Sequence, residues 1–378
     1  MSASPETLLV ISASARALVR SARRSGWRVS ALDGFGDQDT RACVQSFTPV
    51  RMGHGGLDRA DLARRLRRAL KKWEGLSGLV YGGGAEAVAG VLAGWGVSLP
   101  VYGNAPEVVR VSQDPAAFFA LLDRLAIPHP EVRFSPPRHP HGWLSKSSGG
   151  IGGTHVARLG EGHGGELSCY FQREIPGPTL SVSFLADGRD ARILGFNTLW
   201  TAPAHPRPFT YGGAVNRAAL SAAQRARLSG HVRALVAGLG LVGLNGVDVV
   251  MAGGEALVLE LNPRPSATFE LYDVRPGQGL LDWHIRACQG TLPPAGLCRA
   301  PTLRGHEIVY ADRPLRIGSA VRWPAWCSDR PCPGTGVGRH EPLCTVHAHG
   351  ARIPVVMSEL RSRRAQALAG VYSEPQAA

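Results

Sequence analysis

Three oxygen-bearing side chains in the middle of the chain have the types and spacing to hold a hard cation. The runs Val247-Asp248-Val249-Val250-Met251 and Glu255-Ala256-Leu257-Val258-Leu259-Glu260-Leu261 flank Gly253-Gly254 and read as a β-hairpin. Glu260 and Asn262 lie two residues apart, hence on one strand face. A carboxylate and an amide oxygen so placed suit Mg²⁺, or Mn²⁺ in its stead, held against phosphates. Asp248 joins them only if its face matches. A two-residue Gly-Gly loop pairs 252 with 255 and turns Asp248 to the opposite face. A three-residue loop, Ala252-Gly253-Gly254, sets 248 across from 258 and on the face of 260 and 262. The metal set Asp248, Glu260 and Asn262 therefore requires an odd loop. Arg264 follows, with Pro263 restraining the turn. A guanidinium there could bind a phosphate or acyl phosphate during transfer. Taken alone, these residues also suit a solvated surface hairpin.

A second cluster precedes it. Lys146 stands before Ser147-Ser148-Gly149-Gly150-Ile151-Gly152-Gly153-Thr154. Glycines let a backbone fold closely over phosphates and present its N–H groups, and Lys146 adds a point charge. The order of a P-loop is absent. Only three of the 42 basic residues are lysines, Lys71, Lys72 and Lys146. A lysine kept just before this loop points to a need for ammonium geometry. Further on, Phe171-Gln172-Arg173-Glu174-Ile175-Pro176-Gly177 reads as a strand turning between two lobes. Its backbone could meet an adenine edge and Ile175 its face; an ordinary strand end is the plainer reading.

Elements must position these groups. Residues 7–12, a helix at 15–25 and a strand at 27–32 make a β-α-β opening, expected to be parallel and right-handed. A helix at 58–73, a strand at 79–81, Gly82-Gly83-Gly84 and a helix at 85–94 extend it. The spacing thus predicts a small doubly wound α/β domain over 1–108. Residues 109–295 hold helices at 114–126, 221–239 and 278–290, with strands between. Residues 296–378 read as a small β-rich C-terminal region. The fold class is α/β and α+β.

Bulk properties bound the function. The chain has 378 residues, too many for one typical core. No run is long and apolar enough to predict a membrane span, and Met1–Glu6 lacks the basic start of a secretory signal. The seven cysteines are scattered. Cys327 and Cys332, with His340, Cys344, His347 and His349 downstream, offer no Cys-x2-Cys pair, so reduced thiols of a cytoplasmic protein are expected ahead of zinc. The net charge of +13 suits nucleic acid, or nucleotide phosphates and acidic substrates. In Arg64-Arg65-Leu66-Arg67-Arg68-Ala69-Leu70-Lys71-Lys72, leucines at 62, 66 and 70 recur every four residues. That favours the solvated face of an amphipathic helix over a nucleic-acid site.

The order Lys146 and glycine loop, Gln172 to Gly177, Asp248, then Glu260-Leu261-Asn262-Pro263-Arg264 resembles the ATP-grasp superfamily of ligases over about 110–275. The resemblance implies a two-lobed ATP-grasp domain closing on Mg-ATP. A substrate carboxylate would attack the γ-phosphate, and an amine would displace phosphate from the acyl phosphate. Lys146 with Gly149, Gly150, Gly152 and Gly153 would hold phosphates. Gln172, Arg173, Glu174 and Ile175 would line adenine. Asp248, Glu260 and Asn262 would bind magnesium, with Arg264 and Lys146 catalytic. The chain departs from the family pattern at Pro115, Arg173 and Thr179, where the family often has a lysine near the first helix, an acid after the hinge glutamine and a ribose-binding Glu.

Leu32-Asp33-Gly34-Phe35-Gly36-Asp37-Gln38-Asp39-Thr40 and Gly103-Asn104-Ala105-Pro106-Glu107 look like a branch related to biotin carboxylase. That branch is associated with methylotrophs using tetrahydromethanopterin and methylofuran. It implies a ligase in one-carbon-carrier biosynthesis, joining glutamate to tyramine, tyrosine or a pterin precursor. A carboxylase, an acyl-CoA-forming enzyme and a catalytically idle nucleotide- or nucleic-acid-binding protein are the alternatives. The partners implied are small-molecule carboxylate and amine substrates. Trp323-Pro324-Ala325-Trp326 and its surroundings are open to covering a cleft, binding substrate or forming a homodimer.

Overall fold

A computed structural model describes residues 6–53, 55–95, 98–160, 169–203, 205–296, 300 and 302–373. The N-terminal part is a parallel five-stranded sheet in the order Ser46–Pro49, Arg28–Asp33, Thr7–Ser12, Leu76–Tyr81, Val101–Tyr102. Leu8, Leu9, Val10 and Ile11 are all buried, as expected of a parallel strand covered on both faces. Chain order reverses between Thr7–Ser12 and Leu76–Tyr81. At this switch point the loops after the two strands pack together, the amide of Ala13 donating to Gly83 O at 2.8 Å. The helix Arg59–Lys72 buries Leu62, Leu66 and Ala69 and exposes Arg64, Arg67 and Arg68.

Two helices, Pro106–Gln113 and Pro115–Arg124, lead into the next lobe. Asp114 caps the second, accepting from the amides of Ala116 and Ala117. Pro115 fills the first helical turn, where its missing N–H costs nothing. A four-stranded antiparallel sheet follows, ordered Val156–Arg158, Trp143–Ser147, Cys169–Arg173, Val132–Arg133.

The largest sheet has eight antiparallel strands. Their order is Glu255–Asn262, Val242–Ala252, Thr179–Asp187, Ala191–Thr201, Tyr211–Val215, Leu303–Tyr310, Pro342–Gly350, Cys327–Ser328. The helix Ala222–Leu239 begins in a Ser221/Gln224 capping box, and its Leu228, Val232, Leu235 and Val236 pack with Val182, Phe184, Val247 and Val249. Leu281 and Ile285 of the helix Leu280–Cys288 join Leu18 and Val19 of the N-terminal sheet's first helix.

The C-terminal region differs from a β-rich reading in two respects. Its strands Leu303–Tyr310 and Pro342–Gly350 continue the large sheet, and residues Ile353–Tyr372 form a 20-residue helix. That helix buries Val356, Leu360 and Val371 against Val309 and Val346. Val356, Leu360, Ala367 and Val371, with Ile353, Met357, Leu368 and Tyr372 packed beside them, recur at three- and four-residue steps and make one apolar stripe. Among the described residues, no helix is long and apolar enough to cross a membrane.

Candidate active site

Asp248 and Glu260 face each other across the hairpin, but not by the route the spacing requires. The turn is the two-residue Gly253-Gly254, with Ala252 opposite Glu255; both glycines have positive φ, 56° and 84°. Such a turn matches the right-handed strand twist. The odd loop is therefore a correction: the loop is even. The face is restored instead by a register shift between Asp248 and Val249. Val249 pairs with Val258, yet Asp248 pairs with Glu260, so Leu259 is the extra residue of a β-bulge. A regular ladder would place Leu259, not Glu260, across from Asp248.

Asn262 completes the group. Its Nδ2 donates to Glu260 Oε1 at 3.2 Å and lies 3.4 Å from Asp248 Oδ2. Burial and the neighbouring Glu260 push the Asp248 carboxyl well above the usual range. Glu260 is held below its ordinary value: burial opposes this, and Lys146 and His155 outweigh it. Two carboxylates set this close resist joint ionisation unless a cation lies between them. A half-turn of the Asn262 amide would present its oxygen to that space. The donor set suits Mg²⁺ or Mn²⁺.

Lys146 reaches the same point from the other lobe. It is 6% exposed, on the central strand Trp143–Ser147. Burial lowers its pKa, while Glu260 and Asp248 resist the shift. Lys146, Gly152, Gly153, Gln172, Arg173, Glu174, Ile175, Asp248, Glu260, Asn262 and Arg264 all line one cleft of about 690 Å³. Gly149 and Gly150 line a smaller adjoining cavity of about 90 Å³, which shares His155, Glu260, Asn262 and Arg264 with the cleft and adds Glu86 and Pro115. The glycine loop is pinned over the cleft. The amide of Tyr211 donates to Gly152 O at 2.9 Å, and Arg207 Nη1 donates to Thr154 O at 2.9 Å. At Gly153 φ is +72°, and a Cβ would lie 1.9 Å from Phe209 O, so only glycine fits.

The hinge residues divide. Gln172 is fully buried, and neither its Oε1 nor its Nε2 has a partner in the protein. A buried amide left so is costly, and one lining a cleft has a ligand as its natural partner. Arg173 points outward over the Trp143 ring. Glu174 is bound by the Arg158 guanidinium at 2.9 to 3.1 Å. Side chains 173 and 174 are thus engaged elsewhere, leaving their backbone and Ile175 to the cleft. Thr179 lines it too.

Three groups were missed in the sequence. Glu86 accepts from Arg264 Nε at 2.6 Å, so the guanidinium is anchored to the N-terminal part of the chain. Glu86 follows Gly82-Gly83-Gly84, a signal of a close turn but not of a partner 178 residues away. Tyr211 lines the cleft and donates to or accepts from His306 Nε2 at 2.7 Å. Arg16, 3% exposed, binds Glu270 at 2.5 and 2.7 Å and Asp329 at 2.7 and 3.2 Å, tying all three parts of the molecule together. The acidic loop 33–39 serves this junction. Asp33 accepts from the amide of Ala15, and Asp39 accepts from the amides of Asp329 and Arg330 at 3.0 Å. Among the described residues, no three His, Cys, Asp or Glu side chains are arranged to hold a metal, the region of Cys327 and His347 included.

Residues 113–268 match the family model described as ATP-grasp domain. The carbamoyl phosphate synthase large chain of Deinococcus radiodurans is 26% identical over 241 residues. That covers 57% of this chain but only 23% of the relative, so the chain matches about a quarter of that relative's length. The architecture is shared with the biotin carboxylase domain of Hydrogenobacter thermophilus 2-oxoglutarate carboxylase, solved with MgADP and bicarbonate. The TM-score is 0.72 at 15% identity, covering 95% of this chain and 89% of that one. It is shared equally with the L-amino acid ligase of Bacillus licheniformis, at a TM-score of 0.70 and 12% identity, covering 95% and 96%.

Proposed function

We propose that this chain is an ATP-dependent, ADP-forming ligase that joins a carboxylate to an amine through an acyl phosphate. The observation that carries the reading is the placement of Asp248, Glu260 and Asn262 on one face, with Lys146 reaching them from the facing lobe. Mg²⁺ held by the three would neutralise phosphate charge. Lys146 and the pinned loop would orient the β- and γ-phosphates. Gln172 would exchange hydrogen bonds with the adenine edge, and Ile175 would cover its face. Arg264, fixed by Glu86, would stabilise charge on the transferring group. The cavity of about 90 Å³ lined by Glu86, Glu260, Asn262 and Arg264 would admit the carboxylate.

The finer proposal rests on the resemblance at 32–40 and 103–107: glutamate joined to tyramine, tyrosine or a pterin precursor, in making a one-carbon carrier. The test is ADP release screened against pools of carboxylates and amines that include glutamate, tyrosine and tyramine, with bicarbonate as a separate arm. Products are identified by mass. A carboxylate-dependent signal lost in Glu260→Gln supports the ligase. A signal with bicarbonate alone turns the reading to carboxylation, and none with any acid rejects it.

A further inference from the structure

Gln172 lines the cleft with nothing in the protein to fix which way its amide faces. Its strand, Cys169–Arg173, runs beside Trp143–Ser147, with Gln172 paired to Leu144. Paired residues share a sheet face, so Gln172 points the same way as Leu144 and Lys146, and all three line the cleft. Lys146 marks the phosphate end. Gln172 stands further along the sheet, next to the turn Ile175-Pro176-Gly177. The side chain is fully buried, and neither Oε1 nor Nε2 has a hydrogen-bond partner in the protein.

The next two hinge residues are committed elsewhere. The amide of Arg173 donates to Glu131 O at 2.8 Å, and that of Glu174 to Gly142 O at 2.9 Å. The Arg173 guanidinium lies over the Trp143 ring, and the Glu174 carboxylate is held by Arg158. Of the polar side chains in 172–177, that leaves Gln172 to meet a base.

A side-chain amide donates through nitrogen and accepts through oxygen, and its last torsion is roughly two-fold. A half-turn exchanges the two. One hydrogen bond from the protein would select an orientation, and with it one kind of base edge. Without such a bond, both orientations cost the protein the same.

Resting on the nucleotide reading of this cleft, we propose that Gln172 turns to suit the purine, so that the site takes 6-oxo purine triphosphates as well as ATP. Oε1 accepts from the 6-amino group of ATP. Turned over, Nε2 donates to a 6-carbonyl oxygen. No hydrogen bond within the protein is broken in passing from one state to the other. An ionised carboxylate at this position could only accept, and would repel a 6-oxo group.

Inosine triphosphate tests this most simply, because it carries the 6-oxo group without a 2-amino group. The full-length protein is titrated calorimetrically with Mg-ATP and with Mg-ITP, with no carboxylate or amine present. Wild type should bind ITP within about tenfold of ATP. Gln172→Met keeps the length of the side chain and loses its amide. It should weaken both nucleotides by a similar factor, about tenfold, and leave their ratio unchanged. ATP bound more than about 100-fold tighter than ITP by wild type overturns the proposal; a fixed acceptor such as the Glu174 carbonyl would impose that preference. Weakening of ATP alone in Gln172→Met also overturns it, assigning the amide a single orientation. Weakening of neither removes Gln172 from the base. Failure of wild type to bind either nucleotide overturns the nucleotide reading itself. A melting temperature at or above that of ligand-free wild type establishes that the variant folds.

Discussion

Asp248 stands across from Glu260 because Leu259 bulges out of the ladder between them. Each acid therefore feels the other, and a cation is what lets both ionise. Glu260→Gln and Asp248→Asn should each lower Mg-ATP turnover by at least about 100-fold. Without metal, Asp248→Asn should melt no lower than wild type, since it removes a carboxyl that burial and Glu260 keep from ionising. A Mg²⁺-dependent rise in melting temperature should be present in wild type and lost in both variants.

This pair also shows what the sequence made legible. Glu260, Asn262 and Asp248 stood out because polar residues interrupt apolar strands, and their common face was expected. The means was not. A bulge leaves no mark in a run such as Leu257-Val258-Leu259, where any residue could be the extra one. The doubly wound start of the chain was readable because Leu8–Ile11 and Leu79–Tyr81 are short apolar runs beside glycine-bearing turns. Glu86, Tyr211 and the Arg16 junction were not readable, because their partners lie 95 to 313 residues away. The helix Ile353–Tyr372 is a different case: Val356, Leu360, Ala367 and Val371 form a stripe at helical spacing that docks on two sheet strands, so the sequence carries its signal.

Gln172 makes opposite predictions for the empty and loaded protein. Its buried amide is unpartnered, so Gln172→Leu should stabilise the ligand-free form by about 1–3 kcal/mol. The same change should weaken ATP binding about tenfold or more. Calorimetric unfolding and nucleotide titration measure the two; a destabilised variant that binds ATP normally would remove Gln172 from the nucleotide site.

The Arg264–Glu86 pair ties the cleft to the N-terminal part of the chain. Both side chains are mostly buried, at 13% and 11% exposed. Removing one partner of a buried pair costs about 3–5 kcal/mol. Arg264→Ala should lose stability on that order and reduce turnover about 100-fold, with ATP affinity changed less. Glu86→Gln keeps a hydrogen bond to Arg264 Nε and should lose turnover by a smaller factor. An equal drop in both, read from kcat, would mean that Glu86 acts directly.

Asp37 supplies a pH test. Burial, then Asp329, Asp33 and Asp39, raise its pKa from 3.8 to about 8. The folded chain therefore holds this proton over a range where the unfolded chain has released it. Stability should fall as pH rises from about 4 to about 8. Asp37→Asn carries no proton to lose, so it should match wild type near pH 4 and exceed it at pH 8 by about 5 kcal/mol. Thermal melts across that range would show parallel curves if Asp37 ionises normally.

In the proposed reaction a carboxylate oxygen takes the γ-phosphate at the Asp248–Glu260 site. The most direct measurement supplies a carboxylate labelled with oxygen-18, together with its amine and Mg-ATP, and weighs the phosphate released. An acyl phosphate transfers one labelled oxygen to each phosphate in wild type, and Glu260→Gln releases almost no phosphate. Unlabelled phosphate from wild type, or labelled phosphate formed at the normal rate by Glu260→Gln, would contradict the account.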